Sequence, residues 1–339
     1  MLRVAINGYG RIGRSVLRAL YENGYREQMQ VVAINELADI DTISYLTRYD
    51  TTHGRFPKQI STSANSLLVE DDEILCFACE KPEDIPWSGL AIDMILECSG
   101  SFADREGAQA YLTTGIPRIL LSQPADAEVD ATIVYGFNHP EVSVDHSIVS
   151  AASCTTNCLL PVLDTIKRFA GIEHGTTQTI HSAMNDQPII DGYHTKDLRL
   201  TRAALSSIIP VDTGLAKGIN RMMPELNGKM ACNAVRVPTL NVSVIDLVLR
   251  TERDVTEAEI NAQLLRATQG KYAGLIGYTQ EAHASVDFNH DSRSVIVDGS
   301  QTKVVDGRLV KLLCWFDNEW AYANRMLDVA RYWATLIEK

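Results

Sequence analysis

The chain runs to 339 residues with 45% apolar side chains, longer than one hydrophobic core ordinarily serves, so two domains are expected. Its 43 acidic and 31 basic residues leave a net charge of −12, a field that repels polyanions and argues against nucleic acid as a partner, though a few arginines could still hold a small phosphate. The N-terminus lacks a signal-peptide layout, no window approaches the roughly eighteen apolar residues of a membrane span, and seven scattered cysteines are no secreted disulfide framework; a cytoplasmic protein without a membrane partner is expected.

In chain order, Leu2–Asn7 predicts a strand, Arg11–Asn23 an amphipathic helix with Ile12, Val16, Leu17 and Leu20 at helical spacing, and Val31–Asn35 a second strand. Asp93–Cys98, Arg118–Ser122 and Ala131–Tyr135 read as further buried strands, with helical stretches such as Arg105–Thr113 between them. That alternation predicts a doubly wound, parallel α/β sheet of the Rossmann kind over residues 1–152. After Cys154 the texture changes. Thr155–Ala170 predicts a helix, Asn241–Val248 alternates polar and apolar like a strand covered on one face, and Leu309–Phe316 predicts another strand. With helices at Glu257–Gln269 and Asn318–Ile337, residues 153–317 predict an α+β domain with a largely antiparallel sheet.

Gly8-Tyr9-Gly10-Arg11-Ile12-Gly13 forms G-x-G-x-x-G where the first strand meets the first helix. Glycines there permit a tight turn and a close backbone approach to a pyrophosphate, whose charge meets the helix N-terminus. The second strand ends in Asn35-Glu36, about twenty residues past the last glycine, where a carboxylate can accept the ribose diol of NAD and repel the extra phosphate of NADP. A solvated glutamate after a strand is the plain alternative.

Cys154, in Ala151-Ala152-Ser153-Cys154-Thr155-Thr156-Asn157-Cys158, precedes an apolar helical run. A helix N-terminus stabilises a thiolate and is expected to lower the thiol pKa, which makes Cys154 a candidate nucleophile. Cys158 lies one turn on, and with no further cysteine pair or histidine nearby no metal site is expected. Buried structural cysteines are the commoner kind, and this reading stays open for both. His181, at the end of the β-like run Thr179-Ile180-His181-Ser182, is the best-placed histidine for a general base, its alternative being a satisfied strand-end side chain.

Ala5–Arg14, Ala152–Asn157, Arg236-Val237-Pro238-Thr239 and Trp315–Trp320, in this order and spacing, resemble the glyceraldehyde-3-phosphate dehydrogenase family along the whole chain. The resemblance implies that Cys154 and His181 are nucleophile and base, that Gly8, Gly10, Arg11, Ile12, Gly13 and Glu36 lie at the NAD site, and that Asn318 orients the nicotinamide carboxamide. It implies phosphate and substrate contacts from Ser153, Thr155, Arg199, Thr213, Gly214 and Arg236, with Arg199 and Arg202 both candidates for one contact. It also implies a C-terminal helix, residues 318–339, that completes the NAD-binding domain, and a homotetramer with Met184–Ser206 as a loop between subunits.

Three residues after the histidine, glycolytic members carry a threonine whose hydroxyl helps bind the substrate phosphate; here the residue is Met184. Ile34–Asp39, Ser207–Thr213 and Val286–Asp291 resemble the erythrose-4-phosphate dehydrogenase branch, which oxidises a four-carbon phosphosugar to 4-phosphoerythronate on the route to pyridoxal phosphate. The expected chemistry is a thiohemiacetal and then a thioester on Cys154, hydride transfer to NAD, and release by water rather than by phosphate. The alternatives are a phosphorylating glyceraldehyde-3-phosphate dehydrogenase and an idle NAD-binding interaction protein.

Overall fold

Backbone contacts in the computed structural model, which describes residues 1–194 and 197–337, divide the chain into two units. The first is Met1–Ser153 together with the chain from Tyr322 onward; the second is Cys154–Ala321. The last two residues of the expected helix 318–339, and Thr195 and Lys196 of the expected loop 184–206, lie outside the described residues.

In the first unit, the apolar run Leu2–Asn7 forms β1 and continues into helix α1, Arg11–Glu22. Strand β2 is Met29–Asn35, followed by helix α2, Ile40–Arg48, whose Asp39 accepts the Thr42 N–H as its cap. Strands β3 (Tyr49–Asp50) and β4 (Gly54–Arg55) make a small ribbon, and β5 (Ile60–Thr62), β6 (Ser66–Val69) and β7 (Asp72–Phe77) form a meander. Then come β8 (Met94–Glu97), helix α3 (Arg105–Thr113), β9 (Ile119–Leu121), β10 (Ala131–Thr132) and β11 (Ile148–Ser150). Among the described residues they order as β10-β11-β9-β8-β1-β2-β7-β6-β5, parallel from β10 to β7 and antiparallel at the β5–β7 edge. Central strands buried on both faces explain the uninterrupted apolar runs.

The expected strand Ala131–Tyr135 is shorter than its sequence suggested. Only Ala131 and Thr132 pair in the ladder; beyond them the Asn138 side chain accepts the Val134 N–H at 2.7 Å and donates to the Thr132 carbonyl at 2.9 Å, so a local turn takes the backbone groups a longer strand would use.

The second unit starts with helix α4, Cys154–Ala170, and strand β12, His174–Ser182. It continues through β13 (Ile209–Val211), α5 (Leu215–Met222), β14 (Met230–Val237), β15 (Ser243–Arg250), α6 (Glu257–Ala267), β16 (Ile276–Thr279), β17 (Val295–Asp298), β18 (Lys303–Val305) and β19 (Leu309–Phe316). Its sheet orders β13-β14-β12-β15-β19-β17-β16, with β18 on β19; most pairs are antiparallel, while β12–β14 and β16–β17 run parallel. The parallel β12–β14 pair sets His181 beside Arg236 in register. Helix α7, Trp320–Ile337, begins two residues later than its pattern suggested, because the Asp317 carboxylate accepts the N–H groups of Glu319 and Trp320 and so caps the helix there.

Candidate active site

Helix α4 opens on Cys154 itself. The residue before Ser153, Ala152, has φ +59°, a left-handed conformation costing an L-residue roughly 1–2 kcal/mol. Ser150 Oγ accepts its N–H at 3.0 Å and the Tyr322 hydroxyl donates to its carbonyl at 2.9 Å, so the surrounding contacts hold the sharp turn.

Within the second unit, Cys154 Sγ and His181 Nε2 are 3.7 Å apart, within reach for a sulfur–nitrogen hydrogen bond. His181 is buried near the end of β12 with its ring edge toward Phe316. Burial, and then the charge of Arg236, hold its pKa down to about 4. Burial pushes the Cys154 thiol up to about 11, against the opposing pull of Arg236 and of the Thr155 and Cys154 amides. The expectation of a lowered thiol pKa is thereby corrected: at this helix start, loss of solvent outweighs the amides. Cys158 is fully buried, its thiol raised well above the ordinary value by burial and by the neighbouring sulfurs.

Arg236 Nη1 lies 2.7 Å from His181 Nδ1, while Asp186, an exposed residue in the turn after β12, interacts with the same guanidinium through its charge. The other expected phosphate contacts lie on separate segments of the chain. Thr213 Oγ1 accepts the Leu215 N–H at 3.2 Å, and Gly214 caps α5. Arg199 is exposed on a single turn, Leu198–Thr201, its backbone N–H donated to Asp197; Arg202 pairs with Asp191 at 3.0 Å on the same exposed segment. Ser153 ends the first unit and Thr155 stands in the first turn of α4.

Asn318 is buried, and its Oδ1 accepts from Ser182 Oγ at 3.0 Å and Ser243 Oγ at 2.8 Å. Neither serine, nor Asp186, was singled out by the sequence. The signal lay in strand register: Ser182 ends β12 and Ser243 begins β15, neighbours in the sheet though distant in the chain.

The glycine turn of the first unit is shaped for close approach. A Cβ on Gly8, at φ +82°, would meet the Ser99 backbone at 2.4 Å, and one on Gly13 would meet the Gly8 carbonyl at 2.2 Å. A Cβ on Gly10 would meet nothing within 4 Å, leaving the outer side of the turn open, and α1 starts there without a side-chain cap. Glu36 accepts the N–H groups of Tyr9 and Leu37, each at 2.8 Å, and lines a cavity of about 230 Å³ with Tyr9, Gly10, Arg14 and Thr42. Arg11 is engaged by Asp50 through two guanidinium nitrogens.

Residues 2–105 match the family model described as glyceraldehyde 3-phosphate dehydrogenase, NAD binding domain, and residues 153–318 match that described as glyceraldehyde 3-phosphate dehydrogenase, C-terminal domain. The open glycine cradle and uncapped helix start fit the pyrophosphate of NAD, the cofactor of this fold. Among the described residues no helix is long and apolar enough to cross a membrane. The two matches, read with the parallel sheet of the first unit and the cysteine–histidine pair of the second, establish that the chain belongs to the glyceraldehyde-3-phosphate dehydrogenase family and is an NAD-dependent oxidoreductase.

Proposed function

We propose that the chain oxidises D-erythrose 4-phosphate to 4-phosphoerythronate with NAD, in pyridoxal phosphate biosynthesis. The observation that carries this reading is Met184. It occupies the turn after the base, its side chain is exposed and offers no hydroxyl, and its N–H is donated to Gln187 Oε1 at 3.0 Å. A substrate phosphate there lacks one donor.

Cys154 sulfur bonds to the aldehyde carbon, and the carbonyl oxygen becomes the hydroxyl of a thiohemiacetal. His181 Nε2 then takes that hydroxyl proton as the C–H bond breaks, leaving a thioester. NAD supplies the hydride acceptor when bound. The Cys154 N–H, at the helix start, is assigned to the developing oxyanion. Water attacks the thioester carbon, the C–S bond breaks, and the acid and the free thiol result. Arg236, with Ser153, Thr155, Arg199, Thr213 and Gly214, is assigned to the phosphate-bearing end of the substrate. Asn318 is assigned to the cofactor carboxamide, and Glu36, Gly8, Gly10, Gly13, Arg11 and Ile12 to the rest of NAD.

A homotetramer in the cytoplasm is part of the proposal, supported by exposed apolar side chains Ile189, Ile190, Tyr193, Leu198 and Leu205 on the segment expected between subunits. The test is NADH formation from erythrose 4-phosphate and from glyceraldehyde 3-phosphate, each with and without inorganic phosphate. Faster turnover of glyceraldehyde 3-phosphate that depends on added phosphate would assign the phosphorylating reaction instead. Absence of NADH from either aldehyde would leave an NAD-binding interaction protein.

A further inference from the structure

His181 Nδ1 has two neighbours that ask opposite things of it. The Ser182 carbonyl, 2.9 Å away, can only accept, and so favours a proton on Nδ1. Arg236 Nη1, 2.7 Å away, can only donate, because guanidinium keeps its protons throughout the working pH range. Two N–H donors cannot face each other at that separation, so with Arg236 in this position Nδ1 is an acceptor and a neutral imidazole carries its proton on Nε2. Nε2 is the atom facing Cys154 Sγ at 3.7 Å. With Nε2 protonated, the ring can donate to sulfur but cannot take a proton from it or from a thiohemiacetal hydroxyl.

The arrangement leaves Arg236 underused. Its Nε is buried and finds no hydrogen-bond partner among the described residues, and its Nη1 reaches the Ser182 carbonyl only at 3.5 Å. A tetrahedral dianion would satisfy more of the guanidinium than one ring nitrogen does.

We infer that Arg236 is a positioning residue that gates the base: it holds His181 in the tautomer unable to accept a proton at Nε2, and an anionic phosphate group drawing the guanidinium away lets Nδ1–H bond to the Ser182 carbonyl and frees Nε2. The step moves one proton from Nε2 to Nδ1 by exchange with solvent, with no change in charge. The gate deepens the assignment of Arg236 to the substrate phosphate and rests on it. Among the described residues, the charged and titratable groups acting on the pair and its neighbour are Glu319 beyond β19 on His181, Asp186 and Cys154 on Arg236, and Arg236 and Asp317 on Cys154. The imidazole stays neutral beside the cation, its pKa held at about 4, so the tautomer rather than the charge is what changes.

The test is the ¹⁵N spectrum of the full chain labelled at its histidine ring nitrogens, with His181 assigned by the signals missing from His181→Asn, and inorganic phosphate as the probe. Without phosphate, His181 should show a bare Nδ1 and a protonated Nε2; saturating phosphate should exchange the two, and Arg236→Gln should show protonated Nδ1 with or without phosphate. A protonated Nδ1 in the phosphate-free protein would overturn the gate. Phosphate binding by calorimetry that depends on Arg236 but leaves the tautomer unchanged would overturn the gate and spare the anion site. Lack of any Arg236-dependent phosphate binding would overturn both.

Discussion

Ser182 Oγ donates to Asn318 Oδ1 across 3.0 Å, from the last residue of β12 to the loop that follows β19. Ser243 Oγ donates to the same oxygen, so the amide is fixed from its carbonyl side and its NH₂ is the group left to meet a ligand. If Asn318 holds the nicotinamide carboxamide, Ser182→Ala should weaken NAD binding by up to about tenfold, the worth of one net hydrogen bond of roughly 0.5–1.5 kcal/mol. Ser182→Ala is the cleaner variant, because Ser243 Oγ also accepts the Ser182 N–H at 3.1 Å. Equal NAD affinity in wild type, Ser182→Ala and Asn318→Ala, measured by fluorescence quenching, would remove Asn318 from the cofactor site.

The protonation of His181 should be visible in stability. Its folded pKa, about 4, lies below the ordinary histidine value, so between the two the unfolded chain binds a proton that the native one refuses. The sign follows: this contribution is fully present above about pH 6.5 and is lost as pH falls toward 4, at about 1.4 kcal/mol per pH unit at most. Wild type should therefore lose stability faster than His181→Gln across that window in urea titrations. Parallel curves for the two would mean the imidazole is not held neutral.

Glu36 accepts the Tyr9 N–H in the glycine turn, and in the proposed assignment it also presents charge to the ribose of NAD. Glu36→Gln keeps an acceptor for that amide and removes the charge, so it isolates the second role. NAD affinity should fall by about tenfold or more, since hydrogen bonds to charged groups are worth roughly 1.5–3 kcal/mol, and the preference for NAD over NADP should narrow. An unchanged preference in competition binding would place NADP rejection elsewhere.

The two cysteines of α4 should separate cleanly. Cys154→Ser should abolish aldehyde oxidation with NAD binding intact, because a hydroxyl is a far poorer nucleophile at this site. Cys158 has no exposed surface, so Cys158→Ala should retain most activity and lower stability by about 1 kcal/mol through the lost sulfur. A hundredfold activity loss in folded Cys158→Ala would give that thiol a chemical role.

Local pattern carried the first unit well where strands are buried on both faces. Leu2–Asn7 reads directly from its apolar run, and α1 from the spacing of Ile12, Val16, Leu17 and Leu20. The β5–β7 meander escaped, because Ile60–Thr62 is largely exposed and Asp72–Phe77 mixes carboxylates with apolar residues at a sheet edge. In the candidate site, Cys154 and His181 stand in recognisable motifs, but the environment of His181 depends on a partner 55 positions away. Arg236 sits beside His181 through the parallel β12–β14 register, and no local spacing encodes that pairing. The lowered thiol pKa was expected for the same reason: the helix start is visible in sequence, whereas the burial that outweighs it is not.

In the proposed reaction the choice of deacylating nucleophile rests on Met184. Its side chain is 44% exposed in the turn that follows β12, and that turn closes on itself, with the Met184 N–H donated to Gln187 Oε1 and the Gln187 N–H to the Met184 carbonyl at 3.1 Å. The backbone geometry therefore does not depend on what the side chain offers, and Met184→Thr should fold normally. A restored hydroxyl gives a bound phosphate one more donor, worth roughly 1.5–3 kcal/mol when well aligned. In wild type, NADH should form steadily without inorganic phosphate, with free acid as product. In Met184→Thr, added phosphate should raise the rate and shift product toward acyl phosphate, most with glyceraldehyde 3-phosphate. Arg236→Ala cannot serve as a binding-only control, because Arg236 touches His181, the proposed base, and its loss should alter kcat as well as KM. The decisive observation is a rapid-mixing trace of wild type without phosphate: a single burst of NADH that then stalls would mean the thioester resists water, and Met184 would not determine how the acyl group leaves.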